Sequence, residues 1–99
     1  MNTIVRTGEF DAWLSSLKDA RAKALIIKRI RSFERDNFGD CESVGAGVSE
    51  MRIHFGPGYR VYFTRVGDVV NMLLLGGTKR NQKRDIVKAK ELARLLKEK

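Results

Sequence analysis

Three short stretches carry side chains suited to phosphate chemistry. In EMRIHF, Arg52 and the chain's single histidine, His54, stand two apart. In YRVYF, Arg60 and Tyr62 have the same spacing. KRNQKR then sets Lys79, Arg80, Lys83 and Arg84 within six residues. Arginine presents a planar fork of donors that matches phosphate oxygens, and lysine a compact point charge. An imidazole titrates near neutrality and serves as a general base. A phenol stacks or donates a hydrogen bond. Together these residues point to a polyanion as partner. The plainer alternatives are a structural surface histidine and a solvated basic corner. No His, Cys, Asp or Glu group has metal-ligand spacing, so neither a metal nor a cofactor is expected.

The local pattern predicts how these groups are held. Val48–Phe55 alternates, with Met51, Ile53 and Phe55 on one face and Glu50, Arg52 and His54 on the other. Tyr59–Val66 alternates again, with Arg60, Tyr62 and Thr64 opposite Tyr59, Val61 and Phe63. Gly56-Pro57-Gly58 joins the two as a turn, because proline presets φ and glycine permits a positive one. If the strands pair closely, Arg52 and Arg60 share a face as two uncompensated cations awaiting an anion. Gly67-Asp68 reads as the next hairpin turn. Val69–Leu75 is apolar on both faces apart from Asn71, the mark of a central strand. Asn81–Lys97 reads as a helix, with Asn81 as a possible cap and Asp85 in the first turns, where the helix dipole favours a carboxylate. The helix start at KRNQKR adds positive partial charge for a phosphate.

The first half supplies support. Residues 2–7 read as a short strand and Glu9–Leu17 as a helix with Phe10, Trp13, Leu14 and Leu17 on one face. Trp13 is a core or rim residue in this reading, with base stacking as the sharper alternative. Asp19 caps a helix over Ala20–Asp36, whose apolar stripe is Ala22, Ile26, Ile30 and Phe33. Lys23, Lys28, Arg31 and Arg35 form its solvated side. The two helices make a hairpin whose apolar face needs the strands as cover. CESV is a short strand. Gly45-Ala46-Gly47 is a turn, since it fits neither phosphate-loop pattern.

A chain of 99 residues makes one domain, residues 1–99. The net charge is +8, and it is lopsided. Residues 1–49 hold eight Lys/Arg and seven Asp/Glu, and residues 50–99 twelve and five, so +1 against +7. A polyanion-facing surface therefore belongs to the second half. The lone Cys41 excludes an internal disulfide and fits a reducing compartment. It reads as an idle thiol rather than a nucleophile. The N-terminus lacks an apolar signal core, and no apolar run approaches the ~20 residues of a spanning helix, so a cytoplasmic protein with no membrane partner is expected.

Several pieces in combination resemble the RelE/ParE superfamily of toxins, and more narrowly the HigB-like addiction module killer proteins. They are Glu50-Met51-Arg52, Gly56–Phe63 (GPGYRVYF), Gly76-Gly77-Thr78-Lys79 and Gln82-Lys83-Arg84-Asp85-Ile86. The order of the N-terminal strand and helices also matches, so the likeness covers nearly the whole chain. The resemblance implies an α+β fold, RelE-like, with an antiparallel sheet, an N-terminal helical hairpin packed on one face and a C-terminal helix. It implies a metal-independent mRNA endoribonuclease working in the ribosomal A site and neutralised by a cognate helix-turn-helix antitoxin. On this resemblance Arg60 contacts the scissile phosphate, Lys79 and Arg80 form the basic corner, and Arg60, Lys79, Arg80, Tyr62 and His54 are the catalytic candidates. Arg52, Lys83 and Arg84 are the RNA-binding ones. Some members carry a C-terminal tyrosine or histidine as acid or base. This chain has neither after Tyr62, so proton transfer is left to Lys79, Tyr62 or His54. Two other functions stay open: a ParE-like gyrase inhibitor without nuclease activity, and a basic nucleic-acid-binding module.

Overall fold

Thr7 shows how the chain begins its fold. Its hydroxyl accepts from Phe10 N–H at 3.0 Å, capping the first helix, and donates to the Leu74 carbonyl at 2.7 Å. One side chain thus starts a helix and ties it to a strand sixty-seven residues away. The computed structural model describes residues 3–67 and 70–98. It contains β1 (Thr3–Arg6), α1 (Gly8–Ser16), α2 (Ala20–Glu34), β2 (Cys41–Gly45), β3 (Val48–Ile53), β4 (Tyr59–Val66), β5 (Val70–Thr78) and α3 (Gln82–Lys97), the last entered through a 3₁₀ turn over Lys79–Asn81. Asp68 and Val69, expected in the last hairpin turn and strand, lie outside the described residues.

Asp19 caps α2 as expected, accepting from Arg21 and Ala22 N–H at 3.0 and 3.2 Å. Asn81 stands at the start of α3 but makes no capping bond through its side chain. The 3₁₀ turn replaces the cap, with Gln82 N–H donating to the Lys79 carbonyl.

The five strands form one sheet in the order β1-β5-β4-β3-β2. The pairs from β2 to β5 are antiparallel, whereas β1 runs parallel to β5. The sheet is therefore mixed, not antiparallel throughout. A four-residue strand carries no pattern that distinguishes the two directions; its direction follows from where the helices return the chain.

On one face, Phe10 and Leu14 of α1 and Ala22, Ile26, Ile30 and Phe33 of α2 are buried with Met51, Ile53, Tyr59, Val61 and Leu73. Trp13 belongs to this packing, its ring lying between Phe10 and Tyr59 and directly over Gly76, where any Cβ would collide with it. On the other face α3 lays Ala89 and Ala93 against Val48, Tyr62, Leu74 and Leu75. A bulge makes the last pair possible: Tyr62 pairs with Leu75 and Phe63 with Leu73, leaving Leu74 as the extra residue. Asp85 of α3 fits against Gly77, which a Cβ would also block. The two glycines thus admit a tryptophan on one face and a carboxylate on the other.

This second face corrects one expectation. The polar alternation at Glu50, Arg60 and Tyr62 does not lie open to solvent: their exposures are 2%, 6% and 0%. The small side chains of Ala89 and Ala93 let α3 approach the sheet closely and cover it.

Candidate active site

The β3–β4 pairing places Arg52 opposite Arg60 and Glu50 opposite Tyr62, so the strands pair closely and the two arginines share a face. The environments of the two arginines then diverge. Arg52 is not an uncompensated cation. It donates to Asp40 Oδ1 through Nη2 at 2.8 Å and Nε at 3.3 Å, and to Glu42 Oε2 through Nη1 at 2.7 Å. Glu50 Oε1 stands 3.9 Å away. Its donors are committed to carboxylates brought in by β2 and the loop before it.

Arg60 has no such partners. Its Nη1 donates to the Gly58 carbonyl at 3.0 Å, its buried Nε has no partner, and it forms no ion pair among the described residues. The same Gly58 carbonyl accepts from Lys79 N–H at 2.8 Å, which draws the start of the basic corner onto the β3–β4 turn. Gly58 sits at φ 77°, and a Cβ there would stand 3.1 Å from Arg60 Nη1 and 3.4 Å from Lys79 Cβ, so glycine is required twice over. A cavity of about 330 Å³ opens here, lined by His54, Phe55, Gly56, Pro57, Gly58, Arg60 and Lys79. A buried guanidinium with open donors and no carboxylate is costly unless an anion completes it.

His54 reaches this cavity from the end of β3 with a largely exposed side chain. Its Nε2 lies 2.5 Å from Asp40 Oδ2. The hydrogen bonds from Arg52 and then His54 hold the Asp40 carboxyl down to about 2, so it is a permanent anion. Arg29 steadies the loop behind it, donating to the carbonyls of Arg52 at 2.6 Å, Phe38 at 3.2 Å and Asp40 at 3.4 Å.

The structure therefore brings His54, Arg60 and Lys79 together. Arg80, Lys83 and Arg84 lie exposed alongside, on the 3₁₀ turn and first turn of α3. Tyr62 is elsewhere: its side chain is fully buried under α3 and its hydroxyl has no partner among the described residues. Burial first, then the negative charge of Glu50 and Asp85, pushes that phenol far above its usual range. Glu50 accepts from Gln82 Nε2 at 3.0 and 2.9 Å through its two oxygens, pinning the start of α3 to β3. Burial likewise raises the Asp85 carboxyl, against the pull of Arg84 and Lys88.

Sequence reading missed Asp40, Arg29 and the buried role of Glu50. Arg29 left a trace, a cation at the margin of the Ile26–Ile30–Phe33 stripe. Asp40 left none, because it lies in a loop without periodicity. Cys41 bonds the Phe38 carbonyl at 3.1 Å, and burial raises its thiol, which fits an idle residue. Among the described residues no His, Cys, Asp or Glu cluster is arranged to hold a metal ion, and no helix is long and apolar enough to cross a membrane.

No family model matches the sequence. An uncharacterized protein of Haemophilus influenzae is 50% identical over 93 residues, covering 94% of this chain and 94% of that one. The chain belongs to the same family as that protein.

Proposed function

We propose that the protein is the toxin of a type II toxin–antitoxin module: a RelE-like, ribosome-dependent mRNA endoribonuclease of the HigB-like branch that blocks translation in the cytoplasm. A small helix-turn-helix antitoxin neutralises it. The observation that carries this reading is Arg60, buried, unpaired and opening on a cavity shared with His54 and Lys79. That is a phosphate cradle with a base at its rim.

In the reaction, Arg60 and Lys79 receive the non-bridging oxygens of the scissile phosphate, and Arg80, Lys83 and Arg84 hold the flanking backbone. His54 takes the proton of the ribose 2′-hydroxyl. The O2′–P bond forms, the P–O5′ bond breaks, and the leaving O5′ takes a proton from the Lys79 ammonium. The products are a 2′,3′-cyclic phosphate and a 5′-hydroxyl end. No metal takes part in this scheme. Arg52 is an organiser of the carboxylates rather than a phosphate ligand in this account.

A second reading is favoured by Tyr62. With its phenol sealed under α3, the chain has few proton-transfer groups, as in a ParE-like gyrase inhibitor without nuclease activity. One experiment separates the readings. Brief induction in bacteria followed by mapping of mRNA 5′ ends is expected to yield new ends within codons. Intact mRNA with a DNA-damage response would favour the gyrase reading. Normal growth with abundant folded protein would sink both and leave a basic nucleic-acid-binding module.

A further inference from the structure

Asp40 is a charged group at this site that the cleavage scheme leaves without a task, and it touches His54. It is also the most heavily braced. Its Oδ1 receives two bonds from Arg52, and its carbonyl accepts from Arg52 N–H at 2.9 Å and Arg29 Nη2 at 3.4 Å. The preceding Gly39 takes φ 64°, with the Arg29 guanidinium where a Cβ would be. Helix α2, strand β3 and the loop itself thus converge on one carboxylate. Exposed ion pairs add little stability, so stability alone does not account for such bracing. The bracing leaves one oxygen, Oδ2, aimed at His54 Nε2.

We propose that Asp40 is a positioning residue: it holds the His54 imidazole with the proton on Nε2, and so leaves Nδ1 as the proton acceptor for the Arg60–Lys79 cavity. This rests on the reading of that cavity as a phosphate site. The chemistry follows from donor inventory. A carboxylate without a proton can only accept, so the nitrogen beside it must donate. In a neutral imidazole the other nitrogen then carries the lone pair. The charged groups around His54 are Asp40 and, through it, Arg52 and Arg29, with Arg60 and Lys79 lining the same cavity. A fixed anion behind the ring also steadies the imidazolium formed when the 2′-hydroxyl proton arrives, as in other carboxylate-oriented bases.

The chain has one histidine, which makes the test direct. In the ¹⁵N-labelled protein at a pH where the ring is neutral, imidazole nitrogen shifts are expected to show protonated Nε2 and unprotonated Nδ1. In Asp40→Asn the tautomer population should move toward Nδ1–H, because the Arg52 donors claim the amide oxygen and leave its NH₂ facing the ring. Cleavage of mRNA on ribosomes should then fall on the order of 10- to 100-fold in kcat with KM little changed, less than the roughly 10²–10⁴-fold a general base itself supplies, because Asp40 acts only through His54. A mixed or Nδ1–H tautomer in the unaltered protein overturns the proposal, as does an Asp40→Asn variant with unchanged tautomer or unchanged kcat. The tautomer is read without substrate. If the unaltered protein cleaves nothing, the nuclease reading falls, and the nitrogen shifts alone decide the role of Asp40.

Discussion

The two faces of the sheet bury similar numbers of side chains by opposite means. Under α1 and α2 the contact is mainly apolar, from Phe10 to Leu73, with Asn71 of β5 as a buried polar neighbour. Under α3 it mixes Leu74, Leu75, Ala89 and Ala93 with Glu50, Arg60, Tyr62 and Asp85. The first face satisfies nearly everything it buries. The second leaves Arg60 Nε and the Tyr62 hydroxyl without partners among the described residues. The difference teaches where the molecule keeps its stability and where it keeps binding capacity: unmet donors are a liability in a core and an asset beside a cavity.

The largest effect is expected on the apolar face. Phe33 is fully buried, and Phe33→Ala should cost about 3–5 kcal/mol in urea unfolding, as large aromatic truncations do. Should that variant lose less than Arg60→Ala in stability, the division between the faces would be wrong. Next comes the mixed face. Arg60→Ala should lower cleavage by roughly 10²–10³-fold, about 3 kcal/mol of transition-state stabilisation, while the protein stays folded. Full activity in a folded Arg60→Ala protein would remove Arg60 from the site. A smaller change sharpens the contrast. Tyr62→Phe deletes a buried hydroxyl that has no partner, and should raise stability by about 1 kcal/mol in the same titration. A loss instead would mean that the hydroxyl has a partner in solution.

The smallest effect concerns the carboxylate network at the sheet's end. The Asp40 carboxyl titrates at about 2 when folded, below the 3.8 of a free side chain. A depressed folded value stabilises the fold above the free value and stops doing so as the pH falls through the folded one. Stability from Asp40 should therefore fade between about pH 4 and 2, and Asp40→Asn should flatten that part of the acid-unfolding curve. An unchanged acid limb would show that Asp40 is not engaged by Arg52 and His54 in solution.

Much of this pattern is legible in the amino-acid sequence. The alternation in EMRIHF and YRVYF puts Arg52 and Arg60 on one face if the strands pair closely, and the pairing sets them opposite each other. Gly56-Pro57-Gly58 announced its turn, and Asp19 its cap. What could not be read were the partners. Nothing near Arg52 in sequence signals Asp40 or Glu42, and nothing near Arg60 signals the lack of a carboxylate.

Local sequence pattern was enough for the main helices and strands, the Gly56-Pro57-Gly58 turn, the faces of the residues in β3 and β4 and the basic surplus of the second half. These depend on local rules: a period of two in strands, a period near 3.6 in helices, and the backbone freedom of glycine. Tertiary structure alone decided that α3 covers the polar face, that Arg52 is neutralised while Arg60 is not, and that Asp40 stands behind His54. Those outcomes join segments far apart in the chain, and each was selected by the fit of small residues, glycines and loop carbonyls that carry no periodic signal.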